Sequence, residues 1–101
     1  MVRIRVCWTE RALDQLHEIG AYIALENVEA ARLVVKRVQE SVDRLEGFPD
    51  SGLTIPEFPT LPHREVVMPP CRIFYRLQGE VVWIVHVTRS ERILRPSHLG
   101  S

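Results

Sequence analysis

Three segments in the second half of the chain constrain its fold most: "REVVM" at 64–68, "CRIFYRL" at 71–77 and "EVVWIVHV" at 80–87. Each is rich in the β-branched and aromatic residues that fit a pleated surface. Only Pro69-Pro70 and Gln78-Gly79 part them, which leaves room for tight turns and none for a crossover helix, so they predict an antiparallel meander. With Gln78-Gly79 as the turn, Leu77 faces Glu80, Phe74 faces Trp83 and Cys71 faces His86. One face then carries Cys71, Ile73, Tyr75, Val82, Ile84 and His86, and the other Arg72, Phe74, Arg76, Val81, Trp83 and Val85. Both faces are largely apolar, and a sheet of this kind needs covering on both sides.

The first half supplies one cover. Val2, Ile4 and Val6 alternate with Arg3, Arg5 and Cys7, a period of two that reads as a strand over about 2–7. Thr9 offers an N-cap and Glu10 a first-turn carboxylate. Leu13, Leu16, Ile19 and Ile23 then continue at helical spacing to about Leu25. Asn27 caps a second helix whose stripe, Ala31, Val34, Val38, Val42 and Leu45, runs until Gly47 and Pro49 stop it. Two helices joined so closely make an antiparallel hairpin, and a hairpin covers one sheet face. The second face is therefore expected to be covered by a partner. Between the halves, "PDSGLTIPEFPTLP" at 49–62 carries four prolines and reads as an irregular connector.

At 101 residues the chain is long enough for one small core, so one domain spanning 1–101 is expected, with 96–101 as a loose tail. Thirteen basic residues balance thirteen acidic ones, and nothing in that balance calls for nucleic acid or a membrane. Yet every basic residue from position 64 on is an arginine: Arg64, Arg72, Arg76, Arg89, Arg92 and Arg95, against Glu65, Glu80 and Glu91. Guanidinium forks suit bidentate recognition of anionic groups. Cys7, Cys71, His17 and His63 show no ligand spacing, so neither a metal nor a cofactor is expected. The N-terminus lacks a signal-peptide apolar stretch, so the protein is expected in the cytoplasm.

Candidate partner-contacting residues are Arg72, Phe74, Arg76 and Trp83 on the second face, and Arg89, Arg92 and Arg95 beyond the last strand. A chemical reading competes with this one. His86 titrates near neutrality and could serve as acid or base, with Arg89 stabilising charge and Tyr75 assisting. The plainer readings are a strand-end histidine packed over Cys71, a core tryptophan and a solvated basic end.

The segments "WTERALDQLHEIGAYIA" (8–24), "NVEAARLVVKRVQESVDRLEGFPDSG" (27–52), "REVVMPPCRIFYRL" (64–77) and "VVWIVHVTRSER" (81–92) together resemble the RelE/ParE superfamily of bacterial toxins. The detail is most similar to the ParE branch, with its "REVV.PPYRIFYR" pattern followed by a "VxHxxR" ending. Cys71 stands where that pattern has tyrosine, and "HVTRSER" stands for the commoner "HGRR". The resemblance implies an α+β fold in which an N-terminal strand and an antiparallel two-helix hairpin pack on a small antiparallel sheet. It further implies the toxin of a type II toxin-antitoxin system, neutralised by a cognate antitoxin and inhibiting DNA gyrase without catalysis or sequence-specific nucleic-acid binding of its own.

Two alternatives follow from the same resemblance: a RelE-like ribosome-dependent messenger RNA endoribonuclease, and an inactive homologue that only binds antitoxin and represses their shared promoter. RelE-type enzymes draw lysines and arginines from the connector, the sheet and the C-terminal segment. Here the one lysine is Lys36, in the second helix, and the connector has no base.

Overall fold

The computed structural model describes residues 3–100, so Val2 of the expected first strand lies outside the described residues. The elements run β1 (Arg5–Trp8), α1 (Glu10–Ala24), α2 (Val28–Asp43), a 3-10 turn (Arg44–Glu46), β2 (Leu53–Thr54), β3 (Arg64–Met68), β4 (Cys71–Gln78), β5 (Val81–Arg89) and a second 3-10 turn (Pro96–Leu99). They form an α+β fold around one five-stranded sheet of order β1-β5-β4-β3-β2. The sheet is mixed, because β1 joins β5 in parallel while the other pairs are antiparallel. β2, inside the proline-bearing connector, was not legible as a strand.

Both helices begin where the capping residues put them. The Ala12 N–H donates to Thr9 Oγ1 at 3.1 Å and the Ala30 N–H to Asn27 Oδ1 at 3.0 Å, satisfying donors that a helix start leaves open. Ala12 and Leu16 of α1, with Val38 and Val42 of α2 and Leu45 just beyond it, bury against Cys71, Ile73, Tyr75, Val82 and Ile84. Leu13, expected on the buried stripe, is partly exposed, since the stripe centres on Ala12, Leu16 and Gly20.

The hairpin register differs from the expected one. Gly79 has φ 61°, a left-handed conformation that favours glycine, and the loop is Gly79-Glu80, so Gln78 pairs with Val81 and Leu77 with Val82. Phe74 consequently faces His86, not Trp83, and Cys71 faces Arg89, not His86. A bulge opposite Phe74/Tyr75 shifts the register again along β5. It moves His86 off the Cys71 face onto the Phe74 face, and Val87 takes the inward position against the helices.

The second face is covered by the chain itself. Ile55, Phe58 and Leu61 of the connector and Leu94 and Leu99 of the C-terminal segment pack on Phe74, Val85 and Trp83. The expectation of a face bare for a partner is thereby corrected. So is the loose tail, because Pro96–Leu99 forms a 3-10 turn whose Leu99 is buried. His63 ties this segment down, its Nε2 lying 3.1 Å from the Leu99 carbonyl oxygen.

The connector is held from the other side by Tyr75, whose hydroxyl donates to the Pro49 carbonyl at 2.7 Å and accepts the Gly52 N–H at 2.9 Å. A Cβ at position 52 would lie 2.5 Å from that hydroxyl. Gly52→Ala is therefore expected to destabilise the protein by about 2–3 kcal/mol, by overpacking a buried contact and disturbing its hydrogen bonds. Urea denaturation checks this, and an unchanged midpoint would show that the connector moves aside freely.

Candidate functional site

β1 covers the outer edge of β5 only as far as Ile84, where the Thr9 N–H takes the Ile84 carbonyl at 3.0 Å. Beyond that point the edge of β5 faces the polar side of α1. Gln15 bridges the gap: its Oε1 accepts the Val87 N–H at 2.9 Å and its Nε2 lies 3.0 Å from His86 Nδ1. The first contact fixes the amide's orientation, so the second is a donation to the imidazole and His86 is neutral with its proton on Nε2.

From this bridge a cavity of about 670 Å³ opens between α1 and the C-terminal segment. Arg11, Gln15, Glu18 and Tyr22 line it from α1, at a spacing that puts them on one helix face. His86, Arg89, Arg92, Arg95 and His98 line it from the other side. Arg89 pairs with Glu91 at 3.2 Å and lies 4.5 Å over the ring of Tyr22. Leu94, buried between Arg92 and Arg95, anchors the segment that carries them. The His86 and His98 rings stack with centroids 4.5 Å apart, and His98 Nδ1 accepts the Arg95 N–H at 3.1 Å.

Burial pushes the pKa of His86 down to about 4, aided by the charges of His98 and Arg11. His98 is also lowered, first by desolvation and then by Arg11 and Arg95. The unfolded chain takes up a proton at the ordinary histidine value of about 6.5, the folded chain only near 4, so this contribution is intact above that ordinary value and lost as pH falls toward 4. We expect roughly 2 kcal/mol to disappear between pH 7 and pH 5, and a His86→Gln protein to show a shallower slope over that interval. Denaturant titrations at the two pH values would measure it; parallel slopes would assign the acid sensitivity elsewhere.

The candidate residues divide accordingly. Arg89, Arg92 and Arg95 come together around the cavity. Arg72, Phe74, Arg76 and Trp83 lie elsewhere: Phe74 is fully buried under the connector, Trp83 is half-buried in the same cluster, and Arg76 donates to Gln78 Oε1 at 2.6 Å. Arg72 is occupied by carboxylates, donating to Glu65 at 2.7 Å and to both oxygens of Glu57 at 2.7 and 2.8 Å. The chemical trio is not assembled, because Tyr75 points into the helix-side core with its hydroxyl engaged by Pro49 and Gly52, while His86 lies on the opposite face.

Sequence reasoning missed Arg11, Gln15, Tyr22 and His98. The first three form a legible polar stripe, but nothing in it says which element it faces. Among the described residues no group of three or more histidine, cysteine or acidic side chains could hold a metal ion, and no helix is long and apolar enough to cross a membrane.

Set beside known proteins, the chain is 33% identical over 90 residues to toxin RelE2 of Caulobacter vibrioides, spanning 88% of this chain and 98% of that one. It is 50% identical to Y4kP of Sinorhizobium fredii over 52 residues, a match spanning 52% of this chain and only 54% of that relative's length. The fold superposes on a chain of the chromosomal ParDE toxin-antitoxin system from P. aeruginosa with a TM-score of 0.72, at 22% identity over 90% of this chain and all of that one. It superposes on a free E. coli RelE mutant at 0.62, with 15% identity over 88% and 85% of the two chains. The model of the family described as "ParE toxin of type II toxin-antitoxin system, parDE" matches residues 6–94. The chain belongs to the ParE toxin family, within the RelE/ParE superfamily of type II toxin-antitoxin systems.

Proposed function

We propose that this toxin acts in the cytoplasm by binding DNA gyrase through the arginine rim formed by Arg89, Arg92 and Arg95, and that a cognate antitoxin silences it. The observation that carries the reading is the distribution of guanidinium groups. Arg72, a sheet arginine, is neutralised by Glu57 and Glu65. Arg89, Arg92 and Arg95 gather at one rim, on a segment anchored by Leu94 and Leu99. Such a rim grips anionic groups through charge-assisted bonds. The connector without a cation, and Tyr75 on the other face, favour binding over RNA cleavage as the reading. The resemblance to the ParE branch supplies the target.

The toxin-antitoxin complexes among the chain's structural neighbours support the antitoxin as its partner. Phe74, buried by the chain's own connector, serves as an antitoxin anchor only if that connector opens. The similarity to RelE2 supports one second reading, ribosome-dependent cleavage of messenger RNA. Inducible expression in bacteria separates the two. Filamentation and a DNA-damage response with messages intact are expected; rapid loss of translated messages, abolished by His86→Ala, would overturn the gyrase reading.

A further inference from the structure

The cavity between α1 and the C-terminal segment is more than a charged rim. Four guanidinium groups, those of Arg11, Arg89, Arg92 and Arg95, line it against one carboxylate, Glu18. Glu91 engages Arg89, while among the described residues no carboxylate lies within ion-pair distance of Arg11, Arg92 or Arg95. The charges of Arg11 and Arg95 help to lower the pKa of His98, and that of Arg11 helps to lower the pKa of His86. Aromatic rings accompany these charges: Tyr22, an exposed residue with Arg89 over its ring, and His98, half-buried and stacked on the buried His86.

Guanidinium forks match phosphate oxygens in pairs, and open aromatic rings stack on nucleobases. At about 670 Å³ the space lies within the range that small-ligand sites occupy.

We propose that this cavity binds a nucleotide phosphate, with Arg11, Arg92 and Arg95 taking the phosphate oxygens and Tyr22 offering a ring for the base. The chemistry is that of a 5′-phosphate on a nucleoside, carried either by a free mononucleotide or by the end of a nucleic-acid strand. The inference rests on the proposed function only in sharing the arginine rim. Its test uses the purified full chain without gyrase or growth, so either can fail alone.

Calorimetric titration of the protein with AMP, adenosine, inorganic phosphate and a short single strand with or without a 5′-phosphate tests it. AMP is expected to bind, phosphate more weakly, and adenosine not at all. Arg11→Gln and Arg95→Gln, both at exposed positions, should each weaken AMP by about tenfold, the loss of a charge-assisted contact. Arg37→Gln, on exposed α2 surface outside the cavity, should leave binding unchanged. Melting curves confirm that each variant is folded.

A strand whose affinity rises with its 5′-phosphate, above that of AMP, supports the proposal and assigns the phosphate to nucleic acid. AMP binding as tightly as that strand supports it and assigns a free nucleotide. No binding of AMP or the phosphorylated strand at millimolar concentration, or equal losses in all three arginine variants, would overturn it.

Discussion

Replacing Arg72 by alanine is expected to destabilise the protein by about 3 kcal/mol, because it leaves the Glu65 carboxylate buried without its cation. The Glu65 side chain is 4% exposed and that of Arg72 12%, with 2.7 Å between them, so the pair lies where water cannot replace the lost partner. Glu57, at 37% exposure, can turn to solvent and adds less. The guanidinium also lies 4.9 Å over the Phe74 ring, so the substitution strips a cation from the aromatic floor of the second core. Arg72 is thus a clamp between connector and sheet, a different role from the partner contact expected of it. A double Arg72→Met, Glu65→Met protein should recover much of the loss, since no buried unpaired charge remains and Glu57 reaches solvent. Urea unfolding of the three proteins measures this; a single-variant cost below about 1 kcal/mol would mean that Glu65 is hydrated after all.

The second large effect concerns activity. Changing Arg89, Arg92 and Arg95 together to alanine should abolish growth arrest while leaving the fold nearly intact. Arg92 and Arg95 are exposed, and the one ion pair of Arg89, to Glu91 with its largely exposed side chain, contributes little to stability. Three charge-assisted contacts of about 1.5–3 kcal/mol each would otherwise grip the target, more than enough to shift binding by several powers of ten. Leu94, between them, stays buried and keeps the segment in place. Growth after induction, read alongside the melting temperature of the purified variant, checks both halves. Persistent toxicity in a folded triple variant would move the site of action away from this rim.

How much of this was legible turns on particular residues. The caps at Thr9 and Asn27, and the two faces of the sheet from Cys71 to Tyr75, follow from side-chain chemistry and strand alternation, and they hold. The hairpin register does not, because a glycine can occupy either central position of a two-residue loop. Placing Gly79 first rather than second slides the strands past each other by two residues. The bulge that turns His86 to the other face leaves no signature in "VVWIVHV", since either face would accept those side chains. The cover of the second face was spelled out in Ile55, Phe58, Leu61, Leu94 and Leu99, but these lie in segments without periodicity, where prolines and loops hide which side they face. Arg11 and His98 line one cavity because β1 stops at Trp8 and leaves the end of β5 open.

Purified gyrase with relaxed plasmid and ATP, assayed with increasing toxin, tests the proposed poisoning of gyrase by the arginine rim. Loss of supercoiling and accumulation of cleaved DNA are expected with the native protein, and neither with the folded Arg89, Arg92, Arg95 triple-alanine variant. Full supercoiling in large toxin excess, from a preparation that still arrests growth when expressed, would contradict it.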